Sequence, residues 1–145
     1  MVKERGDNDY DKVMKEVLLY IWQLPQNLVG LVLLLWYKNE KIYHRLNGRT
    51  FYYTQEMPSG ISLGNYIIMN WADEEDGMKH EYGHSIQSRY LGPLFLLVIG
   101  LPSLIGNIYD RVAHKDWPYI ESYKWYYNQP WEKWADKLGN VKRYG

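Results

Sequence analysis

Two runs free of Lys, Arg, Asp and Glu divide this chain, and each is near the length that a bilayer crossing requires. Residues 17–37 read VLLYIWQLPQNLVGLVLLLWY and residues 90–109 read YLGPLFLLVIGLPSLIGNIY, against the roughly 20 apolar residues of a straight spanning helix. Neither run is uniform. Gln23, Pro25, Gln26 and Asn27 cluster inside the first, and such a cluster either kinks a helix or divides it into two short arms. Gly92-Pro93, Gly100-Leu101-Pro102 and Gly106 punctuate the second, so each uninterrupted arm is about half a crossing. The second run is therefore expected to turn back near Gly100-Leu101-Pro102 as a re-entrant or buried hairpin, the alternative being ordinary core of a soluble domain.

The expected partner is a lipid bilayer, with an integral or monotopic membrane location. Positive residues flank both runs on either side (Lys12 and Lys15, Lys38 and Lys41; Arg89, Arg111), so the charge rule for loops fixes no orientation. The leader MVKERGDNDYDKVMKE is long, mixed in charge and followed by no small-residue cleavage site. It reads as a retained segment rather than a signal peptide, with its charged first dozen residues disordered.

Composition narrows the remaining classes. A chain of 145 residues is a single domain, 1–145, and its 17 basic residues are balanced by 17 acidic ones. With no basic surplus there is no electrostatic footprint for a nucleic-acid partner. Cysteine is absent, which excludes thiol catalysis, disulfide frameworks and zinc ribbons, so any metal here is held by nitrogen and oxygen. Fifteen Tyr and seven Trp stand against two Phe. Many of them crowd the segment Trp117 to Trp134, either as a collar at headgroup level or as packing for a small domain.

Between the apolar runs, residues 42–70 are strand territory. Arg49-Thr50-Phe51-Tyr52-Tyr53-Thr54 is rich in β-branched and aromatic residues, Met57-Pro58-Ser59-Gly60 supplies turn chemistry, and residues 61–69 offer a return strand. A β-hairpin is the economical reading. Asp73-Glu74-Glu75-Asp76 then reads as a solvated acidic cap at a helix start.

The chemistry is concentrated in that helix, residues 74–90, where His80-Glu81-Tyr82-Gly83-His84 forms H-E-x-x-H. Residues four apart stack on one helix face, so both imidazoles can address one tetrahedral cation. Glu81, one step round the helix, reaches a water on that ion without filling a coordination position and can act as general base. Gly83 costs about 1 kcal/mol inside a helix relative to alanine, and close approach of another element across the metal face would explain it. A catalytic site commonly takes a third protein ligand, for which Asp110, His114, Glu121, Glu132 and Asp136 are candidates. Residues 129–138 read as a short C-terminal helix, with Pro130 near its start, Gly139 as its stop, and Glu132 and Asp136 on one face. Glu132 can then ligate while Asp136 orients an imidazole through its other nitrogen.

HEYGH followed by Glu132-Lys133-Trp134-Ala135-Asp136 resembles the gluzincin arrangement of zinc metallopeptidases, HExxH and a later ExxxD. The words Q23-L-P-Q-N-L-V-G30, H80-E-Y-G-H-S-I-Q-S88 and L91-G-P-L-F-L-L-V-I-G-L-P-S103 are also similar to a group of small bacterial HExxH proteins. The gluzincin resemblance implies that His80, His84 and Glu132 bind Zn2+, that Glu81 is the catalytic base, and that Asp136 supports a ligand histidine. It also implies a strand of the hairpin above the site, pairing with an extended peptide substrate. No residue uniquely matches the family's oxyanion-stabilising group; His114 and Tyr123 are the nearest options. The expected fold is α+β, a minimal zincin-like domain with an HExxH helix, a β-hairpin and two long apolar helical stretches. The expected activity is hydrolysis of a peptide bond. The rival reading is a non-catalytic membrane protein in which a metal with four protein ligands closes the fold, or in which HExxH is accidental.

Overall fold

The computed structural model describes residues 6–37 and 42–143. Lys38, Lys41 and residues 1–5 lie outside the described residues. The rest of the charged first dozen is ordered, because residues 6–12 begin a helix, α1 (Gly6–Trp22). The first apolar run is not one helix. α1 ends at Trp22, α2 (Leu24–Trp36) starts two residues later, and the two meet at an elbow of 86°. Pro25 occupies the first turn of α2, where its missing N–H is harmless. The polar side chains at the elbow are wholly buried and each makes specific bonds. Gln26 Nε2 donates to Ser88 Oγ and to the Gly92 carbonyl, both at 2.8 Å, and Ser88 Oγ donates to Gln23 Oε1 at 2.7 Å. The Asn65 N–H donates to Asn27 Oδ1 at 2.8 Å. Three distant segments are thereby joined where unsatisfied amides would be costly.

The strand region is a four-stranded mixed sheet rather than one hairpin, with β1 (Ile42–Leu46), β2 (Arg49–Thr54), β3 (Ile61–Leu63) and β4 (Tyr66–Asn70) in the order β1-β2-β4-β3. Asn47 and Gly48 both have positive φ, 51° and 75°, which closes a tight β1–β2 hairpin. A second hairpin joins β3 to β4, and β2 pairs with β4 in parallel. The turn chemistry at 57–60 therefore serves a crossover, not a reversal. Ile67, Ile68 and Met69 of β4 are all buried because both sheet faces are covered. On one face Ile68 packs with Leu34 of α2 and Met57; on the other, Phe51, Ile67 and Met69 pack against Met78 and Tyr82. Those two side chains come from α3 (Glu75–Leu91), the HExxH helix.

The acidic run before α3 does not cap it through a side chain. Asp73 instead accepts from the Asn70 N–H at 2.7 Å, tying off β4. After α3 the chain breaks at Gly92, whose φ of 54° and closeness to Trp22 exclude a larger residue. It then forms a 3-10 turn (Gly92–Leu94), a π-helical turn (Leu96–Gly100) and α4 (Leu101–Ala113). The second apolar run thus passes straight through Gly100-Leu101-Pro102 instead of turning back. The wide turn, closed by the Leu101 N–H on the Leu96 carbonyl, shifts the bonding register so that Pro102 enters in the first turn of α4. Leu96–Ala113 is the one continuous helix among the described residues long and apolar enough to cross a membrane, with mean hydropathy 1.3 and 11% of it buried. The chain returns through α5 (Tyr119–Tyr127) and ends in α6 (Pro130–Gly139).

Candidate metal centre

α3 is buried through polar residues: His80, Glu81, His84, Ser85, Gln87 and Ser88, with Gly83 among them. A helix that hides its polar groups needs a partner for each, and α6 provides several. The two helices nearly touch. A Cβ on Gly83 would lie 1.9 Å from the Ala135 carbonyl oxygen, and one on Gly139 would lie 1.9 Å from that of Lys79. Glycine at both crossing points lets α6 bring Glu132 over the histidine face, the close approach that Gly83 suggested.

His80, His84 and Glu132 converge, with one ligand-type atom from each lying within 4.8 Å of the others. A single oxygen, Glu132 Oε2, lies 3.1 Å from Nε2 of His80 and 3.1 Å from Nε2 of His84. Glu132 is fully buried. The outer nitrogen of each ring is already committed. His80 Nδ1 meets Asp136 Oδ1 at 2.7 Å, and His84 Nδ1 meets Gln87 Oε1 at 2.6 Å. The Gln87 amide nitrogen donates to the Trp131 carbonyl at 2.9 Å, so its oxygen faces His84 and Nδ1 must carry a proton. Two ring nitrogens and a carboxylate oxygen, all acceptors, thus meet at one point. Only a positive species, a proton or a metal cation, makes that arrangement favourable.

The electrostatics agree. Burial works against a charged His80, but hydrogen bonds to Asp136 and Glu132 outweigh it and hold its pKa up at about 9. Burial likewise pushes the Glu132 carboxyl up, yet the bonds and charges of the two imidazoles bring it well below the usual carboxylate range. Supporting bonds fix both carboxylates. Arg143 donates to Asp136 from Nε at 2.6 Å and from Nη2 at 2.9 Å. Ser103 Oγ donates to Glu132 Oε1 at 2.5 Å and, its proton so used, accepts from the Tyr126 hydroxyl at 2.9 Å.

His80 and His84 open on a cavity of 320 Å³ that Glu81 also lines. Glu81 Oε2 is buried without a hydrogen-bond partner, and burial raises its carboxyl pKa against the pull of His84 and His80. A Cβ on Gly60 would come within 3.0 Å of Glu81 Cγ, so glycine lets the chain entering β3 approach the carboxyl. β3 is a sheet edge, and Ser59 to Ser62 form part of the cavity wall.

Among the other sequence candidates, Asp136 lies where expected, beside His80. Tyr123 lines the cavity, and its hydroxyl oxygen accepts from Arg143. His114 does not reach the cavity. It closes the C-terminal end of α4, its Nδ1 2.7 Å from Asp110 Oδ1 and its ring stacked 3.6 Å from that of Trp117. His114, a possible oxyanion stabiliser on the sequence reading, therefore sits away from the cavity. The ring-rich segment is partly wall as well: Tyr126 and Tyr127 line the cavity, and Tyr127 sits edge-on to His80 at 5.1 Å. Gln87, Ser103 and Arg143 were not picked out from sequence, and Tyr126 and Tyr127 only as members of the ring-rich segment. Gln87 alone had a local signal, three residues after His84 on the same helical face.

Comparison with protein-family models, curated proteins and solved structures gives no match for this chain.

Proposed function

We propose that the protein is a membrane-associated, zinc-dependent peptidase of gluzincin-like arrangement. The observation that carries the reading is the meeting of three buried acceptor atoms, each with its outer side held by a second residue, beside a buried carboxylate with an unpartnered oxygen. Two imidazoles and a carboxylate are the donor set that suits Zn2+ at a hydrolytic site. Among the described residues only three such groups converge, and the remaining side faces the cavity. That favours an open site over a closed structural one with four protein ligands.

An ion held there would polarise a scissile carbonyl and bring the pKa of an attacking water to about 7. Glu81 then takes the proton of that water and delivers it to the leaving amine. Its burial raises its basicity toward the working pH. Asp136 and Gln87 keep both rings in the tautomer with Nε2 free, and Arg143 holds Asp136 in place. Tyr123 retains its own O–H, since Arg143 donates to its oxygen, and it can donate to a developing oxyanion. The edge strand β3 offers main-chain groups to an extended peptide.

Membrane association is supported by the outer surface. Leu97, Leu101, Leu104, Ile105, Ile108 and Val112 are exposed along one side of the long helix, while Ser103, Asn107 and Asp110 line the cavity on the other. So much contiguous exposed apolar surface is unusual against water. Metal analysis of the purified protein with a peptide-hydrolysis assay tests the reading. Stoichiometric zinc that is lost in His84→Ala, with turnover lost in Glu81→Gln, is expected; a protein that copurifies with no zinc and takes none up would overturn it.

A further inference from the structure

A second cavity, of 460 Å³, leads from the metal centre to the outer apolar surface. Its size falls within the roughly 300–1,000 Å³ of pockets that hold small ligands. Its walls are Val29 and Leu33 of α2, Ile61 and Leu63 of β3, and Ile99 and Leu104 of the long helix. Its inner end is the metal centre itself, because His84, Ser103 and Tyr126 line it as well. At the outer lip Val29 and Leu104 belong to the exposed apolar surface. The channel is thus continuous from that surface to an imidazole of the trio.

A second observation, in the adjoining 320 Å³ cavity, points to the kind of molecule that would enter the channel. Ser62, on the edge strand between Ile61 and Leu63, has a buried hydroxyl without a hydrogen-bond partner. It is 6% exposed and lines the cavity over the trio. A buried hydroxyl without a partner costs stability, and a peptide laid along β3 would supply one. A lipid acyl chain would fill the apolar channel and leave Ser62 unsatisfied.

We propose that this channel is the specificity pocket of the site, taking a large aliphatic side chain of an extended peptide that arrives from the hydrocarbon side, with Ser62 bonding the peptide's main chain. This rests on the reading of the trio as a peptidase metal centre. Aliphatic side chains gain from burial here, where Leu, Ile, Val and Phe make up much of a wall that Asn107 and Arg111 also line.

The test uses the full chain in phosphatidylcholine nanodiscs, loaded with Co2+ so that ligand binding is read from the visible spectrum without turnover. Four probes are compared: acetohydroxamate, the hydroxamates of N-acetylglycine and N-acetylleucine, and octanohydroxamate. N-acetylleucine hydroxamate should bind about tenfold tighter than the glycine compound. Ser62→Ala should weaken both N-acetylamino-acid hydroxamates about fivefold and leave acetohydroxamate unchanged. Leu104→Trp, at the exposed lip, should reduce the leucine advantage without shifting the glycine compound. Equal affinity for the leucine and glycine compounds would overturn the pocket while leaving the metal centre standing. An octanohydroxamate advantage larger than that of leucine and indifferent to Ser62→Ala would assign the channel to an acyl chain and overturn the peptide. A cobalt spectrum that no hydroxamate perturbs would overturn the metal-centre reading and the pocket with it.

Discussion

Gln87 accepts the Nδ1 proton of His84 at 2.6 Å, and because the same amide donates to the Trp131 carbonyl it cannot turn over to donate instead. One side chain thus fixes both the tautomer and the aim of an imidazole in the candidate metal trio. Replacing it by leucine keeps the volume and removes the constraint. Gln87→Leu is expected to weaken zinc binding on the order of tenfold, measured by competition with a chromogenic chelator, with the secondary structure unchanged by circular dichroism.

Glu81 stands apart from the ligands. With Oε2 buried and unpartnered, Glu81→Gln removes a desolvated charge while preserving shape. The variant should bind zinc as the parent does and lose peptide hydrolysis by about 100-fold or more. Full turnover in Glu81→Gln would eliminate its role as base.

The α3–α6 crossing predicts a stability effect tied to the site. Gly83→Ala places a methyl group against the Ala135 backbone, which no rotamer change relieves, so the helices must separate. A loss of about 3 kcal/mol or more is expected, with zinc stoichiometry falling alongside the melting temperature. A variant that melted like the parent would show that the crossing tolerates separation.

The pH dependence follows from His80. Its folded pKa, about 9, lies above the ordinary 6.5, so the stabilisation it gives the metal-free fold is complete below pH 6.5 and lost as pH rises through about 9. Zinc requires the same proton to leave. Chelator-treated protein should therefore lose melting temperature between pH 7 and 10 while zinc affinity rises over that range. Parallel loss of both would contradict the shared proton.

The outer surface makes its own prediction. Leu97, Ile105 and Ile108 are 65%, 56% and 54% exposed, so replacing all three by glutamate leaves the interior of the protein intact. The parent should sediment with membranes and resist carbonate extraction, and the triple variant should move to the supernatant. A parent recovered in the supernatant would remove the lipid contact.

What the sequence made legible was local chemistry with a strict spacing. The four-residue step of His80 and His84, the matching step of Glu132 and Asp136, and the glycine between the histidines all describe contacts made on single helix faces. The sheet was harder because β2 pairs in parallel with β4, and a long-range parallel pairing leaves no turn in the sequence to read. Asn47-Gly48, a strong hairpin signal, stands between β1 and β2 but plays no part in the single-hairpin reading, which therefore missed β1. Pro102 misled because a proline within an apolar run ordinarily breaks it, whereas here a single wide turn absorbs the ring. Arg143 and Ser103 reach the site through tertiary contacts with no sequence periodicity behind them.

The Ser103 hydroxyl couples two parts of the molecule with different surroundings. It grips Glu132 from a helix whose opposite side is bare hydrocarbon. Any tilt of that helix moves a carboxylate that must hold its position to a fraction of an ångström. On the proposed reading, with lipid against that side and an ion held by the trio, bilayer thickness would become a setting of the site: a thin membrane and a thick one would give the same polypeptide different grips on the ion.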